Sequence, residues 1–250
     1  MKRNLDNFIG CTIGGTDGKI GKVKEFYFDD ASWTIRYIIV ETGSWLEGRK
    51  VLLSPQSIVN TDWKEKILNV DLTMEQVKNS PDIDTDQPVF RQQERDLYSY
   101  YPWGGSYWGG IREMDVPDSQ TNDLSIQQEN ELYMANNVQD NPNLRSTAKV
   151  TSYSIKAADG VIGDVEDLII NDKNWQIDFM VIDTGKWFSG KKVLIMPKKM
   201  IVKVNWEASS IMVNTTKDVV KRSPKYESTQ VLNDSFEANV ESYYKRSAEK

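Results

Sequence analysis

Thr42-Gly43-Ser44-Trp45-Leu46-Glu47-Gly48-Arg49-Lys50-Val51-Leu52 returns 142 residues later as Thr184-Gly185-Lys186-Trp187-Phe188-Ser189-Gly190-Lys191-Lys192-Val193-Leu194. Upstream, Asp17-Gly18-Lys19-Ile20-Gly21-Lys22-Val23 meets Asp159-Gly160-Val161-Ile162-Gly163-Asp164-Val165 at the same offset. Trp33 falls on Trp175, Ile35 on Ile177 and Pro55 on Pro197, giving 16 identities in 39 ungapped positions. A match held at fixed offset marks an internal repeat. After Pro55 one inserted residue shifts the frame. Trp63 then meets Trp206, Thr73 meets Thr216, Ser80-Pro81 meets Ser223-Pro224, and Ser99-Tyr100-Tyr101 meets Ser242-Tyr243-Tyr244. The repeat spans roughly 8–101 and 149–246, so the chain divides into 1–101, a connector 102–147, and 148–250.

Each unit has a β pattern. Asp17-Gly18 and Asp159-Gly160 are hairpin turn signals, since glycine tolerates the positive φ of a tight turn. The run from Ile20 to Phe28 alternates only imperfectly, as a curved strand does. Trp33, Ile35, Tyr37 and Ile39 alternate more cleanly, and short strands follow at Val51–Leu53, Ser57–Val59 and Ile67–Val70. Short strands with turns every 8–12 residues suggest a small barrel. Thr73 with Gln76 forms a capping box for a helix over Met74–Asn79, and Thr216 opens Lys217–Arg222 in the same way. A second helix per unit carries Phe90, Leu97 and Tyr101, or Phe236, Val240, Tyr243 and Tyr244, on one stripe.

The repeated motifs closely resemble the PRC-barrel family, which includes the cytoplasmic domain of the photosynthetic reaction-centre H subunit. The C-terminal domain of the ribosome maturation factor belongs to it too. The resemblance implies a mainly β fold: two small antiparallel PRC-type β-barrels, each followed by short helices, packed with pseudo-twofold symmetry. It also implies an interaction module without catalysis of its own. Neither specialised family role carries over. The H subunit has an N-terminal membrane helix that has no counterpart here, and the first repeat starts within a few residues of Met1.

Composition narrows the function. The 250 residues include no His and one Cys, which excludes imidazole-based triads and relays and any intramolecular disulfide. A net charge of −6 disfavours nucleic acid. The units 1–101, 102–147 and 148–250 carry −3, −5 and +2, and so show no strongly basic face. No apolar run reaches the roughly 20 residues of a membrane span, and no signal peptide is legible. The expectation is a cytoplasmic bacterial protein. The carboxylates Asp29, Asp30, Glu41 and Asp183 sit at turns and strand ends, and a small filled barrel offers no sugar cleft for them. We therefore expect no enzyme activity, no cofactor and no metal site. Cys11 reads as a small buried hydrophobe.

Candidate interaction residues are Trp45, Arg49, Trp103, Tyr107, Trp108, Trp187 and Lys191. Trp45 and Trp187, each followed by glycine and two basic residues, read either as a binding surface or as a plug over the barrel mouth. The plug is favoured, because both copies retain it. Arg49 and Lys191 read as phosphate contacts or as solvated strand flanks. Tyr98–Gly110 has six aromatics in thirteen residues, including Trp103, Tyr107 and Trp108, interleaved with glycine. It reads as glue in the seam between barrels, or as a partner surface. Residues 111–147 read as an acidic connector with a weak helix near Asn130–Asn136. The function expected is a protein-interaction or assembly module with unidentified protein partners and a capacity for homo-oligomers. The alternatives are a ribosome- or RNA-associated assembly factor, or small-ligand binding at the seam.

Overall fold

The computed structural model describes residues 1–81, 96–97, 100–101, 144–185, 190–227 and 232–248. The first stretch forms β1 (Lys2–Asn4), β2 (Thr12–Gly14), β3 (Lys19–Asp29), β4 (Thr34–Thr42), β5 (Lys50–Leu53), β6 (Ile58–Asp62), β7 (Ile67–Val70) and α1 (Met74–Lys78). The second begins with β8 (Leu144–Ser146), α2 (Thr147–Val150), β9 (Ser154–Ala157), β10 (Gly160–Asn171) and β11 (Gln176–Asp183). It continues with β12 (Lys192–Ile195), α3 (Pro197–Met200), β13 (Ile201–Asn205), β14 (Ser210–Val213), α4 (Lys217–Arg222) and α5 (Asp234–Ala248). The weak helix near Asn130–Asn136 and the apolar position Phe90 lie outside the described residues.

The imperfect alternation of β3 has a cause. Its pairing with β4 slips between Val23 and Glu25 and again between Tyr27 and Phe28. The β10–β11 pair slips at the corresponding places, Val165/Asp167 and Ile169/Ile170. Each bulge adds a residue on one strand and bends it, so β3 and β10 coil. Gly21 and Gly163 let the paired strand come close: a Cβ there would stand 2.2 Å from the Glu41 carbonyl oxygen and 2.0 Å from that of Asp183. No side chain fits in that gap.

The fourteen strands of the described residues join one sheet, ten of them along the path β13-β14-β9-β10-β11-β4-β3-β2-β7-β6, with β1, β5, β8 and β12 pairing off it. Two expectations are corrected here. The sheet is mixed rather than antiparallel, because β2 pairs β7 and β9 pairs β14 in parallel. A tight hairpin forces antiparallel neighbours, but these partners are distant in sequence and free of that constraint. The path also does not close among the described residues, and β6 and β13 are its ends.

The two halves meet at β4 and β11 through one register pair, Thr34 with Gln176. Beside it the Ile35 amide donates to the Trp175 carbonyl at 2.8 Å, and the Ile177 amide to that of Trp33 at 2.7 Å. Both tryptophans hold left-handed backbones, with φ of 54° and 58°. Each ends a tight turn in which its amide bonds back four residues, to Asp29 or Asn171. That strain costs about 1–2 kcal/mol per residue, and burial of both indoles offsets it. Trp33 stacks on Phe28 at 5.1 Å between centroids, and Trp175 lies 5.5 Å from Phe8 and 6.2 Å from Phe26.

The helix signals hold closely. Thr73 and Gln76 form the capping box of α1, which ends at Lys78. Thr216 accepts from the Val219 amide to open α4. The turn aspartates also hold these helix starts in place. Asp17 accepts from the Met74 amide at 2.7 Å, and Asp159 from the Lys217 amide at 2.8 Å. Leu97, Tyr101, Val240 and Tyr244 are buried, as their stripe requires, and Cys11 is buried as well.

Candidate functional site

Of the residues singled out by sequence, the described ones, Trp45, Arg49 and Lys191, lie in the Thr-Gly-x-Trp loops; the seam between halves and the open ends of the sheet bring in others. In the first loop Thr42 closes the turn, its hydroxyl donating to the Arg49 carbonyl at 2.9 Å. Thr184 does the same to Lys191 at 2.6 Å. Gly48 and Gly190 both adopt positive φ, which explains their recurrence. The Trp45 indole N–H donates to the Ile20 carbonyl at 2.7 Å, so the half-buried ring folds down onto β3. Trp187 lies outside the described residues, as do Trp103, Tyr107 and Trp108.

Arg49 and Lys191 face the ends of the short helices. Arg49 donates to the carbonyls of Lys78 at 3.0 Å, Ser80 at 2.7 Å and Pro81 at 2.9 Å. Lys191 Nζ donates to the carbonyls of Lys221, at 2.9 Å, and of Ser223. These are the orphan acceptors at a helix C-terminus, where a cation is favoured. Burial pushes the Lys191 ammonium below its ordinary value. The candidate carboxylates are also engaged. Asp29 accepts from the Ala31 and Ser32 amides, Asp30 pairs with Arg145, Glu41 with Lys24, and Asp183 accepts from Gly185.

The seam uses residues that the repeat boundaries at 8 and 149 cut off. β1 pairs with β10 in the other half, Lys2 with Asn171 through Asn4 with Ile169. β8, read from sequence as the end of the connector, pairs with β3: Leu144 with Asp29 through Ser146 with Tyr27. The two arms occupy corresponding registers. Arg3 lays its guanidinium 3.8 Å from the Trp63 ring centroid and bonds Asp172 at 2.9 Å. Arg145 sits 4.2 Å from the Trp206 ring and bonds Asp30 at 2.8 Å. Each arginine thus touches one tryptophan of its own half and one carboxylate of the other.

The arm tips differ in burial. Asn4 donates to Asp167 at 2.6 Å and accepts from the Tyr226 hydroxyl at 2.6 Å. Asp167 is buried, and desolvation, abetted by Asp6, pushes its carboxyl up to about 6 against the bonds from Asn4 and two amides. Its counterpart Glu25 is half-buried and accepts from the Ser146 hydroxyl. Asp172 is held below the usual carboxylate range: burial would raise it, but the N-terminal ammonium and Arg3 more than offset that. A cleft of about 600 Å³ opens beside these residues, lined by Phe8, Gln56, Trp63, Asp172, Asn174 and Trp175. The Arg3 arm already engages its carboxylate and one ring.

The profile of the PRC-barrel domain family matches residues 2–77, from the first arm to the end of α1. This part of the chain is a PRC-barrel domain. No curated protein matches the chain. The matched span opens on β1, so the PRC-barrel reaches with its first strand into the other half. No helix among the described residues is long and apolar enough to cross a membrane.

The open sheet ends distinguish the PRC-barrel from the second half. At the far end of the second half, Lys203, Met212, Lys156 and Val161 stand in register across β13, β14, β9 and β10. All four side chains are exposed; Val202 at the edge bulge is exposed too, as is its counterpart Val59. Neither Lys156 nor Lys203 has an ion-pair partner among the described residues. The corresponding row of the PRC-barrel is Asn60, Asn69, Gly14 and Lys19. There the Asn69 amide bonds Asn60 at 2.7 Å and turns the row on itself. Sequence reasoning misses this row because identities define the repeat, and these positions are where the repeats diverge.

Proposed function

We propose that residues 144–248 form a second barrel of the PRC type, related to the first by a pseudo-twofold axis, and that the chain is a non-enzymatic protein-interaction or assembly module. What supports the second barrel is the correspondence of bulges, arms, caps and loop bonds between the halves. What carries the interaction reading is the exposed row Lys203-Met212-Lys156-Val161. Two lysines beside exposed Met and Val, next to an unpaired strand edge, suit a protein partner with apolar and acidic side chains. Turn bonds and ion pairs hold Asp29, Asp30, Glu41 and Asp183, in keeping with the non-enzymatic reading.

The test uses the tagged chain to capture proteins from native lysate, quantified by mass spectrometry. The variant Lys203→Asn/Met212→Asn installs the pair that the first half carries at Asn60 and Asn69. Capture is expected to fall at least tenfold in it and to persist in the control Val59→Asn, on the opposite edge. Equal capture by all three proteins contradicts the reading.

A further inference from the structure

We propose that the second half binds a small anionic amphiphile, a medium-chain carboxylate, beneath its C-terminal helix. A cavity of about 540 Å³ lies between α5, α3 and the β14–α4 turn. That volume is within the range of sites for compact organic ligands. Met196, Met200, Val219 and Tyr244 furnish apolar walls, and Thr215 stands among them. Polar residues of α5 and the β14–α4 turn complete the lining, and an apolar chain laid against the apolar walls is withdrawn from water.

Three wall residues differ from their counterparts in the other half. Leu72, fully buried, stands where the half-buried Thr215 does; Gln76 replaces Val219 and Ser54 replaces Met196. The Tyr243 hydroxyl of α5 donates to the Val219 carbonyl, as that of Tyr100, at the repeat offset, does to the Gln76 carbonyl. Relative to the other half, the wall becomes smaller at Thr215 and more apolar at Met196 and Val219. The mouth sets the charge of the guest. Lys199 reaches it, paired with Glu241 at 2.8 Å, and Lys245 stands there with no ion-pair partner among the described residues. One cation in excess favours a carboxylate head, with the tail toward Tyr244.

Calorimetric titration of the full chain with dodecanoate, decanoate and octanoate, all below micellar concentration, tests this site. Wild type is expected to bind dodecanoate one to one, with affinity falling up to about fourfold per methylene removed. Thr215→Leu, the residue of the other half, is expected to weaken binding at least tenfold. Val219→Gln is the second variant, used if circular dichroism shows that Thr215→Leu does not fold. Lys245→Glu is expected to weaken dodecanoate binding while leaving dodecanol binding unchanged. No saturable binding, affinity independent of chain length, or equal affinity in wild type and both wall variants overturns the proposal.

Discussion

The two halves of this chain bond alike and expose different surfaces. Each exchanges an arm with the other, pins it with an arginine between a tryptophan and a carboxylate, and meets its partner at a left-handed tryptophan. Their outer rows differ: paired asparagines, a glycine and one lysine in one, two lysines with Met and Val in the other, although an exposed valine, Val59 or Val202, stands at each edge. The lesson is a division of labour. Positions that fix backbone geometry are held in both copies, and positions facing solvent have diverged. The diverged ones are where the proposed partner and ligand are expected to discriminate.

The largest test breaks the frame. Trp33→Ala and Trp175→Ala are each expected to cost about 3–5 kcal/mol in urea unfolding, since both indoles are buried against aromatic neighbours. The two losses are expected to agree within about 1 kcal/mol. A large cost for one and none for the other breaks the equivalence of the halves.

Arg3→Ala and Arg145→Ala probe the arms. Each removes a guanidinium from a tryptophan face and a partly buried ion pair, for about 1–2 kcal/mol apiece. Thermal melts of both variants at one ionic strength check this.

A smaller effect sharpens the contrast between arm tips. Asp167 is lifted to about 6 in the folded chain, above its unfolded value near 3.9. Folding therefore favours its protonated form, so stability from this group is gained as pH falls through about 6 and is absent at higher pH. Between pH 7 and pH 5 its contribution is expected to rise by about 1 kcal/mol. Urea unfolding at both values measures it, and Asp167→Asn is expected to remove that gain.

Much of the frame was legible in the sequence because repetition exposes constraint. Gly21 and Gly163 recur because no Cβ fits, Gly48 and Gly190 because φ is positive, and Thr73 and Thr216 because a helix needs its cap. The arms were not legible. Arg3 and Arg145 stand at the repeat offset, but three-residue strands carry too few positions to register as a match. The single joined sheet was hidden for a related reason, since one register pair between β4 and β11 leaves no periodicity of its own. The candidate site was least legible, because Met212, Lys203 and Thr215 enter the proposals by differing from their counterparts.

Whether the two halves form one cooperative body is tested most directly by native-state hydrogen exchange. The amides of Ile35 and Ile177, which cross the junction, are predicted to exchange together, in the slowest class and with the free energy of global unfolding. Rapid exchange at both while the β3 and β10 amides remain protected, or separate opening energies for the two halves, would contradict it.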